Sequence, residues 1–135
     1  MAVVSVAGVY KPLRALWFWV GLWWLAVLVV IAVCLGPPPA LDLPQNSDKV
    51  EHFLAYFLLA GSAVQVYRTG RALVGVGVGL VGLGIAIEFA QSALTATRVA
   101  DPWDALANTL GVCAGLAIAH TRLRDVLPRR KPAGA

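Results

Sequence analysis

The residues of this 135-residue chain that could do chemistry are few, and they stand near the ends of long apolar runs. Glu88 lies about one turn inside the end of such a run, where an ionisable side chain is costly unless it is solvated or paired. His52 lies one turn inside the start of another run, where it could relay protons to a carboxylate. We therefore take Glu88 as a candidate general base, poised by His52 and oriented by Asp104.

Other polar residues accompany these three at helical spacing. Residues three or four positions apart share one face of a helix, and the pairs related in this way are Asp48 with His52, Glu88 with Gln91, and Asp104 with Asn108. Asn108 lies too deep to cap its helix, so we expect it to hydrogen-bond to a neighbouring helix. The candidate binding residues are Asp48, Lys49, Gln91, Arg98 and Asn108.

Some of these residues also have a purely structural interpretation. The segment Asp101-Pro-Trp-Asp104 predicts a helix N-cap, a proline at the first helical position and an acid in the first turn. Asp101 is therefore expected to be a structural cap, and Asp48 could cap the second helix in the same way. Metal ligation by His52, Glu88 and Asp104 is conceivable, but their spacing has low specificity. The sequence therefore predicts no metal site and no cofactor.

Four apolar runs must position these side chains. Apolar residues make up 59% of the chain and charged residues 13%, whereas a soluble domain has about 25% charged residues. A helix of about 20 apolar residues crosses the hydrocarbon layer of a bilayer. The sequence therefore predicts an all-α integral membrane bundle of four transmembrane helices in a domain over 16–120, with helices at about 16–35, 50–67, 72–91 and 104–120.

The basic residues predict the orientation of this bundle. They are concentrated in the N-terminal segment 1–15, in the turn at Arg68 and Arg71, and in the basic tail 121–135. The positive-inside rule then makes both termini cytoplasmic and puts the polar faces on the outer side. We expect the tail to fray or to bind anionic lipid. Nucleic-acid binding is not predicted, because the basic residues alternate with apolar runs and form no single face.

Three blocks of the sequence together resemble the VanZ-like family. The matching segments are Asp48-Lys-Val-Glu-His52, then Glu88-Phe-Ala-Gln91, then Arg98-Val-Ala-Asp101-Pro-Trp-Asp104-Ala-Leu-Ala-Asn108-Thr-Leu-Gly111. They occur in the family's order and extend from about Asp48 to the end of the fourth helix. The family is named for a membrane protein associated with low-level resistance to teicoplanin, a glycopeptide that acts on peptidoglycan precursors outside the membrane. The resemblance implies a small multi-pass protein of the bacterial cytoplasmic (inner) membrane, with a possible role at the cell envelope.

Several functions are compatible with this pattern. In the first, the protein binds an envelope lipid, a lipid-linked cell-wall precursor or another amphiphile at the outer leaflet, with Arg98 or Lys49 contacting phosphate. In the alternative, it is a membrane-embedded enzyme that acts on such an intermediate with Glu88 as general base. A proton or ion relay through Glu88 and His52 is a third hypothesis, and a cluster that only locks the helices together is a fourth. The sequence does not decide whether the protein is an enzyme.

Overall fold

The computed structural model describes residues 6–37, 44, 47–94, 96 and 99–131, and the regular elements in these ranges are all helical. A short helix, α1 (Val6–Val9), precedes four longer ones: α2 (Leu16–Leu35), α3 (Ser47–Val66), α4 (Arg71–Leu94) and α5 (Pro102–Leu116). Two 3₁₀ turns, Ala117–His120 and Arg122–Asp125, follow α5. The all-α prediction is confirmed, and α2 has the predicted bounds.

The start of α5 follows the signal in its sequence. The Asp101 side chain accepts a hydrogen bond from the Trp103 backbone N–H at 2.9 Å, and Pro102 is the first helical residue. The predicted N-cap is confirmed. Asp48, in contrast, lies in the first turn of α3 rather than at its cap, because that helix already begins at Ser47. The expectation that Asp48 caps the second helix is therefore wrong.

α3 and α5 form the closest helix pair. They pack backbone to backbone because α5 presents glycine at the contact. A Cβ atom added at Gly111 would collide with the Phe53 carbonyl oxygen, and one added at Gly115 would lie 2.7 Å from the Ala60 Cβ. This close approach brings the first turns of α5 against the N-terminal half of α3.

α2 and α4 pack beside this pair and complete the core. Trp23 of α2 donates its indole N–H to the Leu59 carbonyl of α3 at 3.0 Å. Gly84 of α4 lies against Asn108 of α5 and the ring of Tyr56, which is fully buried. α2 and α4 are long and apolar enough to cross a membrane, and they are the two helices within the described residues that meet this criterion.

The segment before α2 and the segment after α5 are tied together at the opposite end of α3 from His52. Lys11 is buried and donates hydrogen bonds to the Val64 carbonyl at 2.6 Å, to the Arg124 carbonyl at 2.6 Å and to Asp125 Oδ1 at 2.9 Å. Gln65 donates to the Leu123 carbonyl and accepts from the Val126 backbone N–H. We call Lys11, Gln65 and Asp125 the terminal cluster. Residues 123–130 are therefore hydrogen-bonded to the rest of the chain, so this part of the tail is not frayed as expected, while residues 132–135 lie outside the described residues.

Candidate functional site

Three helices bring four polar side chains into the interior. α3 contributes His52, α4 contributes Glu88, and α5 contributes Asp104 and Asn108, and their exposed fractions are 9%, 5%, 9% and 1%. His52, Glu88 and Asp104 each offer one possible metal-ligand atom, a ring nitrogen or a carboxylate oxygen, and these three atoms lie within 4.8 Å of one another. These four residues, hereafter the buried polar cluster, are brought together as the sequence pattern predicts.

His52 bridges two residues of α5. Its Nδ1 lies 3.0 Å from Asn108 Oδ1. Because an amide oxygen only accepts hydrogen bonds, Nδ1 is the nitrogen that carries the proton in this contact. The other ring nitrogen, Nε2, faces Asp104 Oδ2 at 3.9 Å. The contact with Asn108 therefore orients the His52 ring and directs Nε2 at a carboxylate.

Lys49 connects the buried polar cluster to the surface. Its Nζ lies 2.9 Å from Asp101 Oδ2, 3.2 Å from Asp104 Oδ1 and 3.3 Å from Asp48 Oδ2. The hydrogen bond from Lys49, followed by that from the Trp103 backbone N–H, lowers the pKa of Asp101 below the usual range of an aspartate. Lys49 thus holds the start of α5 against the start of α3 and fixes one oxygen of Asp104.

One carboxylate oxygen of Glu88 accepts a hydrogen bond and the other does not. Its Oε2 accepts a hydrogen bond from the Asp101 backbone N–H at 3.2 Å. Its Oε1 is buried and has no hydrogen-bond partner among the described residues, and the same is true of Tyr56 Oη and Asn108 Nδ2. A buried polar atom without a partner costs about 1–3 kcal/mol, so such atoms are rare outside sites that use them.

Three predicted site residues, Gln91, Arg98 and Asp48, are not seen to join the buried polar cluster. Gln91 donates from Nε2 to the Cys34 carbonyl at 2.7 Å and so contacts α2. Arg98 lies outside the described residues, so its predicted contacts remain a prediction. Asp48 is exposed and contacts Lys49.

Tyr56 lies near the site, although no role was predicted for it from the sequence. Its position four residues after His52, on the same helix face, was the signal that could have identified it.

An apolar groove opens beside His52. It lies between α2 and α3 and has a volume of about 200 Å³. Its walls are mainly aliphatic, with two polar residues of α3 along one side; the lining residues are Val29, Val30, Val33, Cys34, Glu51, His52 and Ala55. The site thus combines a buried polar cluster with an adjacent apolar surface.

Comparison with known proteins adds one relative. An uncharacterized protein of Schizosaccharomyces pombe is 40% identical over 94 residues, which make up 67% of this chain and 56% of that protein. The chain therefore spans a little over half the length of this relative. No protein-family model matches the chain, and no solved structure matches it.

Proposed function

We propose that this protein is a VanZ-like membrane protein that binds an amphiphile, with the head group in the buried polar cluster and the apolar tail in the groove beside His52. The observation that carries the proposal is the set of unpartnered buried atoms, Glu88 Oε1, Asn108 Nδ2 and Tyr56 Oη. A ligand that hydrogen-bonds to them would remove their desolvation cost. Because the groove at His52 is largely aliphatic, a hydrocarbon chain fits there.

The membrane setting is supported by the surface of the bundle. Large apolar side chains are exposed on several helices, among them Val29 of α2 and Val78 and Phe89 of α4, whose exposed fractions are 52%, 69% and 69%. A soluble monomer rarely leaves so much apolar surface to water. α5 and the 3₁₀ turn after it form a rod of roughly 30 Å, which is the thickness of the hydrocarbon layer. We therefore propose that α3 and α5 cross the bilayer together with α2 and α4.

The proposed orientation has both termini in the cytoplasm. The basic residues Lys11, Arg68 and Arg129 lie at one end of the bundle, where backbone hydrogen bonds join the segments before α2, after α3 and at the tail. The positive-inside rule makes that end cytoplasmic and places the buried polar cluster at the outer side. The resemblance to the VanZ-like family favours a bacterial cytoplasmic membrane.

The charges of the site narrow the class of head group. Lys49 is already shared among three aspartates, so the described residues of the site offer carboxylate acceptors on Glu88 and Asp104 and uncharged donors on Asn108 and Tyr56, with no free cation. A head group with hydroxyl, amide or amine donors therefore fits better than a bare phosphate. The relative in a fungus further favours a membrane lipid over a precursor specific to bacterial cell walls, and with it weakens the link to teicoplanin resistance.

Lipid copurification tests this proposal. Wild type and Glu88→Gln would be purified in mild detergent, and the retained lipids would be quantified by mass spectrometry. We expect one amphiphile class with a donor-bearing head group to be enriched about tenfold in wild type and lost in Glu88→Gln, as removal of a hydrogen bond to a charged group predicts. Ser92→Ala, which alters an exposed residue one turn further along α4, is the matched control. Equal lipid content in all three proteins would overturn the proposal.

The enzyme alternative is favoured by one specific observation. The unpartnered Oε1 of Glu88 is a carboxylate oxygen in a buried site, and His52 and Asp104 lie close to it, as a general base and its partners would. In that case Glu88→Gln would retain the amphiphile and fail to convert it. Profiling of envelope lipids in a deletion strain complemented with Glu88→Gln separates the two functions, because accumulation of one intermediate indicates an enzyme.

A further inference from the structure

We infer that His52, Glu88 and Asp104 bind a divalent transition-metal cation. The three residues come from three different helices, and each is at least nine-tenths buried. One possible ligand atom of each lies within 4.8 Å of the other two. One nitrogen and two carboxylate oxygens are a ligand set that suits first-row divalent cations such as Zn²⁺ or Mn²⁺.

The facing atoms of His52 and Asp104 support a cation between them. Nδ1 of His52 is turned towards Asn108, so Nε2 is the ring nitrogen that remains to bind a cation. Nε2 faces the carboxylate oxygen Asp104 Oδ2 at 3.9 Å. Two ligands of a tetrahedral Zn²⁺, each about 2.0–2.2 Å from the metal, lie roughly 3.4 Å apart. A small side-chain adjustment therefore suffices for both atoms to bind one ion.

Each proposed ligand is also held by a partner outside the metal position. Asn108 binds the other nitrogen of His52, Lys49 binds the other oxygen of Asp104, and the backbone N–H of Asp101 binds Oε2 of Glu88. Outer partners of this kind orient the ligands and fix the histidine tautomer in metal sites. Oε1 of Glu88 has no hydrogen-bond partner among the described residues, and it is the oxygen that the outer partner leaves for a metal.

The charges of the site also favour a bound divalent cation. Glu88 and Asp104 bring two carboxylates into a buried site, while Lys49 divides its charge among Asp48, Asp101 and Asp104. A divalent cation with two carboxylates and a neutral imidazole makes a neutral group, which lowers the cost of burial in a bilayer. Three protein ligands also leave a fourth position for water or a ligand oxygen.

Titration of the metal-free protein tests the inference. The full chain in detergent would be treated with a chelator, dialysed, and titrated with Zn²⁺ and with Mn²⁺ by calorimetry, with metal content checked by mass spectrometry. We expect one ion per chain in wild type and an affinity at least about 100-fold lower in Asp104→Asn and in Glu88→Gln. His120→Gln is the control, because His120 is an exposed histidine at the other end of α5.

Both site variants are near-isosteric, and circular dichroism with thermal melting would verify that they fold. If one variant unfolds, the other still provides the comparison. Less than one ion per folded wild-type chain, or equal affinity in His120→Gln and the two site variants, would overturn the inference. The metal would occupy Glu88 Oε1, so a head group bound beside it would contact the open metal position, Asn108 Nδ2 or Tyr56 Oη instead. The metal site stands without amphiphile binding. Lipid retained by a chain that binds no metal refutes the metal site alone, and metal bound by a chain that enriches no lipid refutes the amphiphile proposal alone.

Discussion

Two groups of polar residues lie at opposite ends of α3 and differ in how completely their buried atoms are hydrogen-bonded. Lys11 is the buried member of the terminal cluster, whereas all four residues of the buried polar cluster are buried. In the terminal cluster, all three N–H donors of Lys11 have acceptors, and both polar atoms of Gln65 are engaged. In the buried polar cluster, roughly 18 Å along the helix, Glu88 Oε1 and Asn108 Nδ2 have no partner among the described residues. Both clusters join α3 to other parts of the chain. Their position in the fold therefore does not explain why one cluster has unpartnered buried atoms and the other has its polar atoms hydrogen-bonded.

We interpret this difference as one between a structural role and the proposed binding role. A polar group that only stabilises the fold is expected to satisfy its buried atoms, because each unsatisfied atom costs free energy. A binding site tolerates that cost, since its atoms are satisfied when the ligand binds, and stability is lowered in the free protein. We therefore expect substitutions in the terminal cluster to lower stability, and substitutions in the buried polar cluster to remove binding with little loss of stability.

The largest expected effect is at Lys11. Lys11→Met removes a buried charge and leaves the Val64 and Arg124 carbonyls and Asp125 without their donor. Loss of one partner of a fully buried ion pair costs about 3–5 kcal/mol. We expect a value near or below the lower limit, because Asp125 is partly exposed and also contacts Arg129. Unfolding in detergent, followed by circular dichroism, measures it.

Lys131→Met is the control for Lys11, because Lys131 is an exposed lysine of the same tail. We expect its melting temperature to equal that of wild type. If Lys11→Met and Lys131→Met melted together, the terminal cluster would have no structural role and the contrast between the two ends of α3 would fail.

The second effect concerns the packing of α5 on α3, which lies between the two clusters. In Gly111→Ala the added Cβ meets the Phe53 carbonyl, which belongs to a helix backbone and cannot move away easily. Overpacking of this kind costs about 1–3 kcal/mol. Because Gly111 lies three residues after Asn108, the substitution should also weaken metal binding. Gly79→Ala, at a glycine with open space around it, should be neutral or slightly stabilising in the same melting experiment.

The third effect is an increase in stability rather than a loss. Glu88→Gln keeps an oxygen that can accept from the Asp101 backbone N–H and replaces an unpartnered carboxylate oxygen by a neutral donor near Asp104. We expect the metal-free variant to be more stable than metal-free wild type by about 1 kcal/mol, as removal of an unsatisfied buried group predicts. A lower melting temperature than wild type would indicate that Glu88 is a structural residue like Lys11.

Much of this arrangement could be predicted from local signals. The lengths of the apolar runs predicted the four long helices to within a few residues, and Asp101-Pro102 predicted the start of α5. The meeting of His52, Glu88 and Asp104 followed from alternating helix directions, because residues near facing ends of successive antiparallel helices lie at one level. These predictions rest on short-range periodicity, which the sequence carries directly.

The terminal cluster could not be predicted in the same way. Lys11 and Asp125 are separated by 114 positions, and the basic residues around Asp125 are typical of a tail at a membrane surface. Nothing local distinguishes a lysine that inserts between two carbonyls from one that remains in solvent. Gln91 shows a similar limit, since it shares a helix face with Glu88 and yet reaches α2 rather than α5.

The smallest expected effect is on the pH dependence of stability, because an aspartate is paired with a lysine near each end of α3. Hydrogen bonds from Lys11 and Lys49 lower the pKa of Asp125 and of Asp101, respectively, below the usual aspartate range. The folded protein therefore binds fewer protons than the unfolded chain between the two pKa values of each group. Each contribution is fully present above about pH 4 and is lost as the pH falls through the folded-state pKa.

Melting temperatures measured from pH 7 down to pH 2 separate the two aspartates. Asp125→Asn should reduce the fall in melting temperature at low pH more than Asp101→Asn does. The reason is that Asp125 pairs with a lysine that is itself buried, whereas Lys49, the partner of Asp101, is partly exposed. Asparagine is also a good N-cap, so Asp101→Asn retains the hydrogen bond to the Trp103 backbone N–H and loses only its charge. If Asp101→Asn flattened the curve more, the ion pair at the start of α5 would be the stronger one, and the buried polar cluster would be as much a structural element as the terminal cluster.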